Sequence, residues 1–142
     1  MRMYKPAAEL LFHESVSLFD RFGDDLVLYR DQGGFTKCDL DLRIRWETAC
    51  AYVPFTWFFE PDGYRVFIVF EETSLFGLLD LRDGRLQYMN RPSHFADAWF
   101  SNLYEWRGEQ IFMYSAETDV VRYDFEKQEG TFSDYDEAPL LG

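Results

Sequence analysis

The 142-residue sequence predicts an all-β protein made of three tandem repeats, each of about four strands. Glycines at positions 23, 63 and 108 recur at intervals of 63 − 23 = 40 and 108 − 63 = 45 residues, and each follows an apolar, aromatic and acidic triplet. Runs rich in aromatic and β-branched residues, which favour strands, follow each glycine, and each repeat then reaches an Asp flanked by apolar residues. Periods of roughly 20–50 residues indicate repeat architectures.

The first repeat covers about residues 13–50. Leu18-Phe19-Asp20 precedes Gly23, the runs "DDLVLYR" and "GFTKCDL" predict two strands, and "RIRW" predicts a weaker fourth strand. A tight turn between antiparallel strands often requires a positive φ, which glycine adopts without steric cost. We therefore expect Gly63 and Gly108 to adopt either a positive φ or a turn that disfavours a Cβ atom.

The second repeat covers about residues 52–91 and differs from its neighbours in its apolar character. Phe58-Phe59-Glu60 precedes Gly63, and the following strands "RVFIVF" and "SLFGLLDL" are apolar at odd and even positions alike, before a weaker "RLQYM". A sheet that is covered on both faces shows such continuous apolar runs. The pattern predicts that this repeat is the middle layer of three stacked sheets, with these side chains buried: Val66, Phe67, Ile68, Val69, Leu78 and Leu79.

The third repeat covers about residues 95–135, with Leu103-Tyr104-Glu105 before Gly108 and the runs "EQIFMYS", "DVVRYDF" and "GTFS" after it. Ser93 is a suitable cap for a short helical turn through "HFADAW" in the preceding connection. An Asp recurs at the end of the third strand of each repeat, and Asp side chains commonly accept hydrogen bonds from turn amides. We therefore predict a structural role for Asp39, Asp80 and Asp124.

This pattern resembles the WD-repeat type of β-propeller blade from about His13 to Asp134, although the Gly-His pair and the closing Trp-Asp of that family are absent. The resemblance implies three blade-like sheets stacked within a single domain, residues 1–142, and a role in protein interaction. Closed propellers usually have at least four blades, so three would form an open array or pair with a second chain. The β-trefoil, which also has three repeats of four strands and a turn such as "DGRL" at Asp83–Leu86, is the alternative fold.

The composition bears on the class of partner. The chain carries 14 basic and 26 acidic side chains, a net charge of −12, of which residues 101–142 contribute 3 − 10 = −7. Such a charge repels nucleic acid and anionic membranes and attracts basic proteins.

His13 and His94 lack metal-ligand spacing, and no catalytic motif is present, so no metal, cofactor or catalytic residue is expected. Cys38 and Cys50 are expected to be reduced thiols of a cytoplasmic protein.

These features lead first to the hypothesis of a small acidic inhibitor, such as a cytosolic immunity protein or antagonist that caps a basic partner, for example a toxin that handles nucleic acid. The alternative is an adaptor module that holds a peptide by strand addition. A carbohydrate-binding trefoil or an enzyme is the remote alternative, and a homodimer through open sheet edges is also possible. Aromatic and acidic residues of the third repeat are the predicted partner-binding site: Trp99, Tyr104, Trp106, Glu126, Glu129, Asp134, Asp136 and Glu137.

Overall fold

The computed structural model describes residues 16–30, 33–95, 98–115 and 119–134. They form three separate four-stranded antiparallel sheets, one in each predicted repeat, and in every sheet the strands lie in chain order. The all-β prediction is therefore confirmed, and three separate sheets correspond to blades rather than to a trefoil. The strands are β1 (Val16–Phe22), β2 (Asp25–Arg30), β3 (Gly34–Cys38) and β4 (Ile44–Ala49); β5 (Pro54–Phe59), β6 (Arg65–Phe70), β7 (Leu75–Asp80) and β8 (Leu86–Asn90); β9 (Asn102–Arg107), β10 (Gln110–Tyr114), β11 (Asp119–Asp124) and β12 (Glu129–Asp134).

The connection between β8 and β9 contains a short 3₁₀ turn, Ser93–Phe95, where the sequence predicted a helical turn. The amide of Phe95 donates to the carbonyl of Pro92 at 2.9 Å, and the amide of Ala98 donates to the carbonyl of Phe95 at 3.0 Å. Within the described segments, no helix has the length and apolar character needed to cross a bilayer.

The chain divides into two compact units, of which the first contains the first sheet together with residues 79–86. In this unit the indole nitrogen of Trp46 donates to the carbonyl of Leu81 at 3.2 Å, and the hydroxyl of Thr48 donates to the carbonyl of Gly84. Cys38 and Cys50 are both buried here and are not joined in a disulfide. Burial raises the pKa of the Cys38 thiol, with a further contribution from nearby acids, so this thiol stays protonated at neutral pH.

The second unit contains residues 54–78 and those from 87 onward, and its core joins side chains of the second and third sheets. Phe67 is fully buried in this core, with its ring centroid 4.8 Å from that of Phe76 and 5.7 Å from that of Phe125, on which it stacks. Successive residues of β6 are buried whichever way they point, as the sequence predicted: Val66, Phe67, Ile68 and Val69. Leu79 is also buried, but Leu78 is only half-buried, so that part of the prediction was wrong.

The aligned glycines adopt two kinds of turn. Gly23 and Gly108 have φ values of 63° and 55°, in the left-handed region that favours glycine. In the second repeat, Asp62 takes the left-handed conformation instead, with φ at 56°, and a Cβ on Gly63 would collide with the side chain of Glu60. The prediction is thus confirmed for Gly108 through its φ and for Gly63 only through crowding.

The recurring aspartates accept turn amides, as predicted. Asp39 Oδ1 accepts from the amides of residues 41 and 43, each at 2.9 Å, Asp80 Oδ1 accepts from the amide of residue 82 at 2.9 Å, and Asp124 Oδ1 accepts from the amides of residues 126 and 127 at 2.9 and 3.0 Å. These amide hydrogen bonds stabilise the charged carboxylate and are the main reason that the pKa of Asp39 and of Asp124 lies below its ordinary value. The same turn device therefore closes the third strand of every sheet.

Candidate functional site

A groove of about 360 Å³ lies on the second unit and is lined mainly by apolar side chains. It combines the edge strand β5, the end of β6 with the turn after it, and the connection that leads into β9. We call this site the aromatic groove and define it by its lining: Phe55, Val69, Phe70, Glu71, Thr73, Arg91, Ala98, Trp99 and Phe100.

Two exposed aromatic rings stand at this groove. The side chain of Trp99 is 65% exposed and that of Phe55 is 45% exposed, and their ring centroids lie 5.0 Å apart in an edge-to-face arrangement. Phe55 lies at a β-bulge of the edge strand β5, where the register passes from Pro54 directly to Thr56, and exposed and half-buried residues alternate along this part of the strand. Exposed neighbouring aromatic rings beside an apolar groove are typical of interaction sites, where Trp and other aromatic residues contribute much of the binding energy.

Arg91 holds the segment that carries Trp99. Its side chain is buried, with 5% of the residue exposed, and its Nη2 donates to the carbonyl of Phe95 at 2.7 Å and to that of Ala98 at 3.3 Å. The guanidinium also lies 5.2 Å from the ring centroids of both Phe76 and Phe100. These contacts hold the backbone carbonyls of Phe95 and Ala98, the second of which directly precedes Trp99, and so they position one wall of the groove.

The turn beside the groove is acidic. Glu71 lines the groove and is exposed, and the neighbouring Glu72 is exposed as well. Hydrogen bonds from Ser74, its side chain first and then its backbone amide, hold the pKa of Glu72 below its ordinary value. This carboxylate is therefore charged at neutral pH, and the groove offers an apolar floor next to a negative rim.

The predicted aromatic residues other than Trp99 are packed into the third sheet. Tyr104 is half-buried, with its ring 5.3 Å from that of Tyr114. Trp106 is half-buried as well, its indole nitrogen donates to the carbonyl of Gly108 at 3.1 Å, and its ring lies 5.5 Å from that of Phe125. The ring of Trp106 is thus less exposed than that of Trp99, and a contact between Trp106 and a partner stays a prediction.

The predicted acids do not gather in one place within the described part of the chain. Glu126 and Glu129 are exposed at the β11–β12 turn, whereas Asp134 pairs with Asp119 at the other end of β12. Five steps of about 3.3 Å along a strand separate Glu129 from Asp134 by roughly 17 Å. Asp136 and Glu137 lie outside the described residues, as does the side chain of Asp134.

An ionic network at the β5–β6 turn could not be foreseen from the sequence. Arg65 Nη2 lies 2.8 Å from Glu60 Oε2, and Arg65 Nη1 lies 2.8 Å from Oε1 of Glu109, a residue 44 positions further along the chain. The same guanidinium donates to the carbonyl of Gly108 at 2.8 Å and lies 5.5 Å from the ring centroid of Trp106. The hydrogen bonds that Arg65 donates to Glu60 are the main cause that raises the pKa of Arg65. The charged guanidinium therefore stands over the ring of the half-buried Trp106 and bonds the turn that follows it.

Comparisons with known proteins support the fold. No family model matches the chain, and no curated protein matches it. A crystal structure of HIRA, residues 644–1017, superposes with a TM-score of 0.56 at 10% sequence identity, covering 84% of this chain and 41% of that one. The fold is that of β-propeller blades.

Two further propeller structures are similar to these blades at lower scores. Hsv2 from Kluyveromyces lactis has a TM-score of 0.47 at 12% identity, covering 79% of this chain and 33% of that chain. BamB from Moraxella catarrhalis has a TM-score of 0.45 at 14% identity, covering 80% of this chain and 38% of that chain. The chain therefore spans less than half the length of each of these propellers.

Proposed function

We propose that the protein is a β-propeller-like protein-interaction module that binds a segment of its partner in the aromatic groove. The observation that carries this proposal is the exposed pair of Phe55 and Trp99 at the groove. Burying two such rings in a complex removes a large apolar area from water, which favours binding. The blades supply the rigid scaffold, and Arg91 fixes the connection that carries Trp99.

The chemistry of the groove favours a basic partner segment with an apolar side chain. The apolar side chain would occupy the groove, and a Lys or Arg beside it would lie near Glu71 and Glu72. The net charge of −12 would also speed the encounter with a basic protein, an effect that weakens as salt rises. An inhibitor that caps a basic partner, such as a cytosolic immunity protein, is a narrower form of this proposal and is supported by size and charge alone.

A matched pair of variants tests the proposal. Trp99→Ser removes the most exposed ring of the groove, whereas Leu40→Ser removes an equally exposed apolar side chain, 64% against 65%, from a turn of the other unit. The measurement is affinity capture from the native host, with the retained proteins identified by mass spectrometry. Binding kinetics with the purified partner follow. We expect Trp99→Ser to lose a basic protein that the parent chain and Leu40→Ser both retain.

Two outcomes would contradict the proposal. Retention of the same proteins by Trp99→Ser and by the parent chain would mean that the groove is not the binding site. The charge argument would fail if the retained partner were acidic. It would also fail if the association rate changed neither with salt nor in the double variant Glu71→Gln and Glu72→Gln.

A further inference from the structure

A second cavity of about 430 Å³ lies on the second unit beside the β11–β12 hairpin, and it is more polar than the aromatic groove. Side chains of the hairpin form one wall, including Arg122, Asp124 and Glu129, and the segment at the end of β8 forms another, including His94. Small-molecule sites commonly occupy about 300–1,000 Å³. The cavity therefore has room for a small ligand.

Several polar groups of the cavity are already satisfied and hold its walls. Asp124 Oδ2 accepts from the side-chain amide of Gln110 at 3.3 Å, in addition to the two turn amides that its Oδ1 accepts. His94 Nε2 lies 2.9 Å from the carbonyl oxygen of Gly130, and Gln128 Oε1 accepts from the amide of Asn90 at 2.6 Å. Gln128 has a φ of 54° and donates its amide to the carbonyl of Asp124 at 2.8 Å, so it belongs to the turn that closes β11. These contacts make the cavity a preformed feature.

Three charged side chains that line the cavity have no such partners over the described residues: Arg122, Glu129 and Lys127, of which Lys127 bonds Asp124 only through its backbone amide. Arg122 is half-buried, yet over the described segments its guanidinium makes no hydrogen bond and no ion pair, and the same holds there for the exposed carboxylate of Glu129. Arg122 pairs with Thr131 across the two strands, so Glu129, two residues before Thr131, points to the same face as a diagonal neighbour at roughly 7–8 Å. Asp124 stands directly opposite Glu129, which places two carboxylates side by side. The cavity thus offers a guanidinium at one position and two carboxylates a few ångströms away, with the Lys127 ammonium near Asp124 as a second cation.

We propose that this cavity binds a small zwitterion of the α-amino-acid type, with its carboxylate on Arg122 and its ammonium group between Glu129 and Asp124. The planar guanidinium of Arg122 can donate two parallel hydrogen bonds to the carboxylate of the ligand. The ammonium group of the ligand would lie between the two opposed carboxylates and reduce their repulsion. A ligand without net charge also avoids the long-range repulsion that a chain of charge −12 exerts on a simple anion. This site is separate from the aromatic groove, so neither proposal depends on the other.

Heteronuclear NMR titration tests the assignment. The probes are pools of the free L-amino acids, followed by the best single amino acid, with acetate and methylammonium as the two half-ligands. We expect saturable shifts at the Gly130 amide and the Arg122 Nε resonance, with a Kd of about 1 mM or tighter for at least one amino acid. Each half-ligand should bind at least about tenfold more weakly than that amino acid, because it reaches only one of the two charges.

Variants complete the test. Arg122→Gln and Glu129→Gln should each weaken binding about tenfold or more. Arg122→Lys, which keeps the charge but loses the planar fork, should give an intermediate affinity. Arg85→Gln removes an exposed guanidinium outside the cavity, and Trp99→Ser alters only the aromatic groove, so both should leave the Kd unchanged. Three outcomes overturn the proposal: no saturable shift with any amino acid, acetate binding as tightly as the amino acid, or unchanged binding by well-folded Arg122→Gln and Glu129→Gln.

Discussion

Phe67→Ala tests whether the buried aromatic rings of the second unit stabilise its fold more than the exposed rings do. Phe67 is fully buried, and its ring contacts those of Phe76, Tyr123 and Phe125. Truncation of a buried Phe to Ala costs about 3–5 kcal/mol, and three lost ring contacts place this site in the upper part of that range. Because whole domains are stable by only about 5–15 kcal/mol, we expect a loss of a third or more of the total.

The assay is urea unfolding followed by far-UV circular dichroism, with two companion variants. Phe67→Leu keeps most of the apolar volume and should cost less than about 1.5 kcal/mol. Phe55→Ala removes a ring of the same size that is 45% exposed, so its cost should stay below about 1 kcal/mol. A cost under about 2 kcal/mol for Phe67→Ala, or equal costs for Phe67→Ala and Phe55→Ala, would refute the division of these rings into core and surface.

Three further outcomes are expected. Gly108→Ala should lower the urea midpoint by an amount equivalent to about 1–2 kcal/mol, because an L-residue is strained at its positive φ; an unchanged midpoint would count against that turn. The hydrogen bonds that Arg65 donates are the main cause that lowers the pKa of Glu60 in the folded protein. The parent chain should therefore exceed Glu60→Gln in stability by the full amount above about pH 4.3, and this difference should shrink as the pH falls through the lower folded pKa. Unfolding curves at several pH values measure the difference. Arg91→Lys should shift the indole N–H resonance of Trp99 and weaken partner binding, whereas an unmoved resonance would deny Arg91 its positioning role.

The strand order was predictable because its signals are local. A glycine turn, two apolar strands and an Asp that binds turn amides lie within one repeat, so the sequence of each repeat predicts its own sheet. The shift of the second turn from Gly63 to Asp62 was not predictable, since either residue tolerates a tight turn. The half-buried state of Leu78 depends on packing, which a run of apolar letters does not reveal.

The candidate site was predictable only in part. The sequence singled out Trp99 together with Tyr104 and Trp106, which are equally aromatic and lie in or next to the same strand, yet only Trp99 stands exposed at a groove. Phe55 lies at a β-bulge, which the pairing of β5 with β6 reveals and the sequence of β5 does not. Arg65 contacts Glu109 across 44 residues; the repeat period aligns the two turns that carry them, but it does not reveal that a side chain of one turn reaches the other.

The chain-order arrangement of the strands also has a kinetic consequence. Every hydrogen-bonded neighbour in the three sheets is the preceding or following strand, so each pairing closes only a short loop. Proteins rich in such local contacts fold faster than all-β proteins whose strands pair over long distances. The same likeness among the three sheets creates a hazard, because a strand of one repeat can pair with its counterpart in a neighbouring repeat or in another molecule while the chain is still partly folded. Refolding at low protein concentration should therefore give a higher yield of monomer than refolding at high concentration.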